Sequence, residues 1–565
     1  DSCTRDSFFP ESGNCGYEIA HYDIAFEWDD RTNILSADVR LLVNVHSDMR
    51  ELPLDFTNRF AIQEISVDEI IAAFSQTEEN LFVEGDFSAG ETAAIRIRYT
   101  GLAEEVMILL PNQPAAAGTQ PFCLVNEPNL AAAWFPANDH PKDKATFSTR
   151  ITVPARYAAA SNGRLISILL PGGETFTPPA NFTMEADDSA EGTVTYTYEM
   201  NDPMAPYLYT VCVDSFNIEQ QTFDDGVVQL DFLQKDLKDY ETFRQWTDLS
   251  QEMIACFEPL LGKYPYRDSG SVVLNRAIGG ALENQTRSVY GNESIYVGET
   301  IFAHEISHQW IGNAVSIADW SDLWIKEGFA MYAEALWEKC AGRTEIYETL
   351  LKDFYSVIAN AGINILDAEA FSDMVSEKDE LPEALLTDKD SIRQGLELIC
   401  GESPDETVNE EIEASLAEDP LTEEAFWKLV PQTCRSLVME PAKETRIREF
   451  FGFSADESWS ETGQIGPKAI TNDFDDMYGY EPYYGGALVY IALNDRLGDE
   501  RFAEAMQTIV ERYTNSVINT EEFIQVFSEV AGEDLSEWIS RWLVYRTVPD
   551  LPGRFTYQQI VDSFD

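Results

Sequence analysis

A chain of 565 residues is too long for one ordinary hydrophobic core, so length alone predicts about two to four domains. A hydrophobic share of 44% excludes a disordered protein, and a formal charge of -62, from 100 acidic against 38 basic residues, excludes binding to nucleic acid or to anionic membrane. No run of eighteen or more apolar residues occurs, so no segment predicts a membrane span.

The chain starts at Asp1 without a methionine, which suits a matured product and a secreted or extracytoplasmic location. Cys3 and Cys15 then close a short loop of the kind secreted domains staple with a disulfide. From Tyr22 the apolar residues alternate, Tyr22, Ile24, Phe26 and Trp28, before Asp29 to Asn33 turn the chain and Val39, Leu41, Val43 and Val45 alternate again. This is a hairpin pattern. It returns at Ile95, Ile97 and Tyr99 and continues as short strand-like runs to Tyr209, so residues 1–213 read as an N-terminal β-sandwich domain.

Near Asp214 the pattern changes, and residues 214–550 read as a mainly helical domain with helices at Thr300 to Ile311, Leu323 to Cys340, Ala487 to Leu497 and Phe502 to Tyr513. Within it, residues 366–470 crowd acidic side chains around short apolar anchors such as Leu396, Ile399, Phe426 and Trp427, the composition of an acidic helical insert. A short tail, 551–565, follows. Cys400 and Cys434 form a plausible second disulfide, whereas spacing selects no pairing among Cys123, Cys212, Cys256 and Cys340, and no cysteine has zinc-ligand spacing. The acidity suits either a salty external medium or a merely solvated surface, and its field favours cationic peptides until salt screens it.

The chemistry concentrates in His304-Glu305-Ile306-Ser307-His308 and, after eighteen intervening residues, Glu327. Residues four apart share one helix face, so His304 and His308 offer two imidazoles to one metal ion while Glu305 points sideways toward substrate. A turn through Gly312 to Asp319 lets Glu327 supply a third ligand from the next helix, leaving a fourth position for water. With only 5 histidines in the chain, a chance H-E-x-x-H arises with a probability on the order of one in a few hundred. The pattern predicts one catalytic Zn2+. Glu334, seven residues after Glu327 on the same face, and less directly Asp322, are candidates to orient a ligand histidine.

The stretch AHEISHQWIGNAVSIADWSDLWIKEGFAMYAEALW, residues 303–337, resembles the metal segment of the gluzincin aminopeptidases, the family of aminopeptidase N and leukotriene hydrolase. Gly280-Ala281-Leu282-Glu283-Asn284 resembles that family's Gly-Ala-Met-Glu-Asn exopeptidase motif. Asn126-Glu127-Pro128, with Trp134-Phe135-Pro136 and Asp139-His140-Pro141, is similar to the stretch by which the β domain reaches the active site, and Pro482-Tyr483-Tyr484-Gly485-Gly486 to the segment carrying the catalytic tyrosine. These motifs arrive in the family's order.

The resemblance implies a multidomain α+β protein, an N-terminal antiparallel β sandwich followed by a thermolysin-like, mainly helical zinc peptidase domain. It implies an aminopeptidase that cuts the first bond of peptides with a free N-terminus by attack of zinc-bound water, with Glu305 as general base and Tyr483 stabilising the tetrahedral intermediate. Glu283 and Glu127 would bind the α-amine, and Gly280 and Ala281 would offer backbone groups to the substrate chain. The sequence departs from the family in a longer stretch between Glu327 and Tyr483, in a glycine where the catalytic-tyrosine motif has lysine, and in the few residues that follow Trp538 to Pro552, from which the resemblance implies that the family's further domains are missing from this sequence. The same ligands and base would serve a zinc endopeptidase, and the fold would also serve a binding module that has lost its chemistry. A blocked N-terminus separates the first of these from an aminopeptidase.

Overall fold

The alternation at Tyr17 becomes, in the computed structural model of the chain, a strand Tyr17–Asp29 that returns as Ile34–Val45 in antiparallel register from Tyr17 opposite Val45 to Asp29 opposite Ile34. Asn33 makes the turn at φ 54°, a conformation that asparagine tolerates, and its Oδ1 accepts from Trp28 Nε1 at 3.1 Å. Tyr22, Ile24 and Val39 are fully buried, and each such apolar side chain contributes about 1.5–3 kcal/mol. The structure describes residues 5–103, 121–361, 364–367, 381, 384–400, 403–404, 406–416, 420–433, 436–439, 446–447, 465–471, 474–545 and 547–561.

Two compact units divide the chain, one of residues 1–349, 471–477 and 490–536, the other of residues 350–470, 478–489 and 537–565. In the first, a nine-stranded sheet runs in the order Thr175–Phe176, Arg164–Leu169, Thr193–Met204, Ala145–Pro154, Tyr17–Asp29, Ile34–Val45, Thr92–Leu102, Ala61–Val67, Ile70–Ile71. Its pairings are antiparallel except that Tyr17–Asp29 and Ala145–Pro154 run parallel. A three-stranded sheet of Met49–Asp55, Asn80–Phe87 and Phe74–Gln76 forms separately.

A further sheet orders Phe182–Glu185, Phe216–Thr222, Val228–Gln234, Ser271–Val273, Ser288–Tyr290 and, at its edge, Ala281–Leu282. Helices follow, among them Ser250–Leu261, Thr300–Ser307, Trp324–Cys340, Asp499–Tyr513 and Thr520–Ala531. Among the described residues no helix is long and apolar enough to cross a membrane. Disulfides join Cys123 to Cys212 and Cys256 to Cys340. Cys15 and Cys400 are also disulfide-bonded, while Cys3 and Cys434 lie outside the described residues.

In the second unit the helices Lys389–Cys400, Glu406–Leu416 and Glu423–Thr433 pack around Leu396, Ile399, Phe426 and Trp427, all buried. A strand Asn364–Asp367 pairs antiparallel with Ser436–Met439. The acidic stretch therefore has an apolar core of its own.

Buried carboxylates shape the loop that bears Glu127. Asp55 accepts from Gly13 N at 3.0 Å, Asp139 N at 2.7 Å and Asn14 Nδ2 at 3.0 Å; Asp139 accepts from Ala132 N at 3.0 Å, and Asp143 from Ile19 N at 3.1 Å. Burial pushes these carboxyls up, to about 6 for Asp55, about 8 for Asp139 and about 7 for Asp143. Their folded values exceed the unfolded ones, so the stability they contribute is complete below about pH 4 and is lost as pH rises through 6 to 8. Lys144, pushed down to about 7 by burial, works in the opposite sense only above that value. We expect the thermal midpoint to fall by several degrees between pH 5 and pH 7, and Asp139→Asn to flatten that slope, by at most about 1.4 kcal/mol per pH unit for one group. Unfolding curves of both proteins across this range, at constant salt, make the measurement; a midpoint that rises with pH contradicts the assignment.

Candidate active site

The helix Thr300–Ser307 stops one residue before its second histidine, short of the expected Ile311. Asn313 N bonds to His308 O and Ala314 N to Gln309 O, a wider winding than the α-helix allows, and Gly312 at φ 130° turns the chain out. Val315–Ile317 then pairs in parallel with Ser516–Ile518 before the chain enters the helix Trp324–Cys340. That helix is buried around nearly its whole circumference, the mark of a core element. Tyr490 holds it by donating to Ile325 O at 2.8 Å.

These two helices bring the three expected ligands together. Glu327 Oε2 stands 3.3 Å from His304 Nε2 and 3.5 Å from His308 Nε2. Tetrahedral coordination with bonds near 2.0–2.1 Å sets donor atoms about 3.4 Å apart, so the set fits zinc. The outer nitrogens are both partnered: His304 Nδ1 bonds Glu334 Oε1 at 2.9 Å, and His308 Nδ1 bonds the Ile311 carbonyl at 3.1 Å. A carbonyl only accepts, so His308 Nδ1 carries hydrogen and Nε2 is the nitrogen turned toward Glu327. Asp322 stands elsewhere, accepting from Thr520 Oγ1 at 2.6 Å.

Glu305 is buried, and its Oε2 has no hydrogen-bond partner among the described residues. One of its oxygens lies within 4.8 Å of ligand atoms of Glu283 and His308. Burial, followed by the charges of Glu283 and Glu327, pushes its carboxyl well above the ordinary range against the pull of His304.

Glu127 and Glu283 come to the same place, and Lys326 joins them. Its Nζ donates to Glu127 Oε1 at 2.7 Å, Glu283 Oε1 at 2.8 Å and Glu327 Oε1 at 2.6 Å. Lys326 is fully buried, with its ammonium 5.9 Å from the Tyr207 ring centroid. Burial opposes ionisation of Glu283 and Glu327, yet the ammonium outweighs it and holds both below the ordinary range; for Glu127, burial and Glu283 win and raise it. Sequence reasoning missed Lys326. The available signal was a single cation beside Glu327 in a run whose other members are Trp324, Ile325, Gly328 and Phe329.

Gln309 and Asn313 were missed as well. Both donate to the Glu283 carbonyl, Gln309 Nε2 at 3.2 Å and Asn313 Nδ2 at 2.7 Å, so the metal segment itself sets where Glu283 stands. Asn126 Nδ2 donates to Tyr209 O at 2.6 Å and Asn284 Nδ2 to Leu208 O at 3.0 Å, which pins both glutamate loops to one segment. Lys144 Nζ bonds Asn313 O at 2.7 Å and Ala314 O at 2.9 Å, and thereby ties a sandwich strand to the same segment.

Gly280 keeps its backbone groups inside the protein: its N–H donates to Glu293 Oε1 at 2.8 Å and its carbonyl accepts from Gly291 N at 3.0 Å. Ala281, opposite Tyr290, is next in the ladder, so its N–H and carbonyl point away from that strand. Tyr483 belongs to the second unit, half-buried in a π-helical turn Glu481–Gly485. Its neighbour Tyr484 packs its ring on Phe354 and Tyr480.

A family model described as the Peptidase family M1 domain matches residues 246–384 and 434–542, and one described as the Peptidase M1 N-terminal domain matches residues 18–177. The unmatched stretch between the first two blocks falls inside the acidic region. Glutamyl aminopeptidase of Homo sapiens is 29% identical over 232 residues, 37% of this chain and 21% of that protein. Aminopeptidase N of Canis lupus familiaris is 29% identical over 241 residues, 40% of this chain and 23% of that protein. The chain thus matches less than a quarter of the length of these curated relatives. In fold it is similar to an M1 zinc metallopeptidase from Deinococcus radiodurans, with a TM-score of 0.66, 21% identity, and coverage of 98% of this chain and 99% of that one. A mutant of that enzyme bound to a Tyr-Ser-Ala substrate gives a TM-score of 0.67 at 21% identity, over 97% and 99% of the two chains.

Removing the carboxylate behind His304 tests the metal geometry. Glu334→Ala should weaken zinc binding about 10- to 100-fold, read by competition with a chelator, while Asp322→Ala should leave zinc affinity unchanged.

Proposed function

We propose that this chain, which belongs to the M1 peptidase family of gluzincin aminopeptidases, is a zinc-dependent aminopeptidase acting on peptides with a free N-terminus. The observation that carries the reading is the convergence of Glu127 and Glu283 on one ammonium nitrogen beside the metal ligands. A pocket that already binds an ammonium with two carboxylates has the chemistry to take the α-ammonium of a peptide. Glu283 and Glu327, both held below the ordinary carboxylate range, outnumber the one lysine, so the cluster keeps negative charge for a second cation to neutralise.

His304, His308 and Glu327 would hold one zinc ion. When bound, zinc supplies a Lewis acid that makes water nucleophilic near pH 7 and polarises the scissile carbonyl. Glu305 takes the proton of the attacking water on its carboxylate and returns it to the leaving amine. Tyr483 donates its phenolic hydrogen to the oxygen on which charge develops. Glu127 and Glu283 fix the distance from the peptide's first nitrogen to the metal ligands, so that only the first peptide bond reaches Glu305. The backbone of Ala281 offers hydrogen bonds to the substrate chain, whereas Gly280 shapes the turn before it. Disulfide-bonded cysteines support a protein that matures in an oxidising, extracytoplasmic compartment.

Three measurements test this reading. N-acetylation of a cleaved peptide should lower its hydrolysis at least about a hundredfold; equal cleavage of blocked and free peptides would assign an endopeptidase instead. Glu305→Gln should cut kcat about 10²–10⁴-fold with zinc content unchanged, and activity that survives it removes Glu305 as the base. Tyr483→Phe should lower kcat about 10²–10³-fold with KM nearly constant.

A further inference from the structure

The strand Ala281–Leu282 has two residues and, among the described residues, pairs only with Ser288–Tyr290, too little to fix its own course. Its entry is set by Glu293. The Oε1 of this side chain accepts three consecutive backbone N–H groups, Ile278 at 2.7 Å, Gly279 at 2.7 Å and Gly280 at 2.8 Å. Successive amides converge on one anion in this way only where the backbone leaves its usual regions, and Gly279 and Gly280 stand at φ 91° and 137°.

The residues beside Glu293 grip the same turn from the other side. Gly280 O accepts from Gly291 N at 3.0 Å and from Ser294 Oγ at 3.4 Å. Gly291 also makes room for the carboxylate, since a Cβ there would lie 2.2 Å from Glu293 Oε2. Three hydrogen bonds to one side-chain oxygen outweigh what a two-residue ladder supplies.

We propose that Glu293 is a positioning residue for peptide binding, which holds the Ile278–Gly280 turn and thereby aims the outward backbone groups of Ala281 at the peptide chain. The inference rests on the aminopeptidase reading. A peptide anchored by its amine at Glu283 runs back along Leu282 and Ala281 as it leaves its first residue, so the residues after the scissile bond depend on this strand. A substrate with no main chain there does not use it.

The test compares an aminoacyl anilide with a pentapeptide that begins with the same residue, for the zinc-loaded wild type, Glu293→Ala, Glu293→Gln and Gly291→Ala. Glu293→Ala should lower kcat/KM on the pentapeptide about tenfold or more, chiefly through KM, and on the anilide less than about threefold. Glu293→Gln should recover most of the loss, because its amide oxygen still accepts. Gly291 has φ -79°, open to alanine, so Gly291→Ala displaces the carboxylate without removing it and should give the same split. Equal losses on both substrates, or none on the pentapeptide, overturn the role given to Glu293 while leaving the aminopeptidase standing. A wild type inactive on both substrates overturns both. If Glu293→Ala loses its zinc or its fold, Gly291→Ala decides.

Discussion

Glu327 divides its two oxygens between two tasks. Oε2 lies between the inner nitrogens of His304 and His308, and Oε1 accepts from the Lys326 ammonium that Glu127 and Glu283 also hold. One carboxylate therefore joins the metal ligands to the cluster that would receive a peptide's amine. Burying several charges this closely is costly unless each is paired and hydrogen-bonded. Lys326 meets that demand, and its place next to Glu327 in the same helix ensures that the counter-charge travels with the ligand.

An exopeptidase needs more than the right groups. It needs a fixed distance between the metal and an amine anchor, and on the proposed reading short side-chain tethers would supply that distance in this chain. The carbonyl of Glu283 accepts from Gln309 and Asn313, so the segment that bears the histidines also positions the anchor. Asn126 and Asn284 attach the two glutamate loops to neighbouring carbonyls, Tyr209 and Leu208. The proposed amine site is thus referred back to the three metal-ligand candidates through hydrogen bonds rather than through apolar packing, which tolerates sliding.

What the sequence disclosed follows from the range of its signals. The four-residue spacing of His304 and His308 and the seven-residue spacing of Glu327 and Glu334 are helical periods, so ligands and supporting carboxylate were readable from the chain itself. The hairpin from Tyr17 was readable because its burial alternates. The parallel pairing of Tyr17–Asp29 with Ala145–Pro154 was not, since two alternating strands look the same whichever way they run. Lys326 carries no periodic signal: its partners, Glu127 and Glu283, lie far away in sequence, and only the fold makes them neighbours. The early end of the metal helix escaped for a related reason, because Gly312 alone gave notice of it and the wider winding before it depends on tertiary contacts.

With 100 acidic residues, most carboxylates are solvated and do little beyond keeping the chain soluble. A few buried ones have a different task. Asp55, Asp139 and Asp143 accept loop amides around the stretch that carries Glu127, and Glu293 does the same for the turn before Ala281. Loops that must lie open to a peptide cannot be fixed by covering them with apolar side chains, and their N–H groups have no sheet or helix to pair with. A carboxyl acceptor beneath the loop resolves both constraints at once: its oxygens satisfy several amides, each hydrogen bond contributing about 0.5–1.5 kcal/mol, and it leaves the upper face free. The loops around Glu127 and Ala281 thus hang on acidic side chains set beneath them, so carboxyl groups are more numerous about the site than the metal ligands alone require.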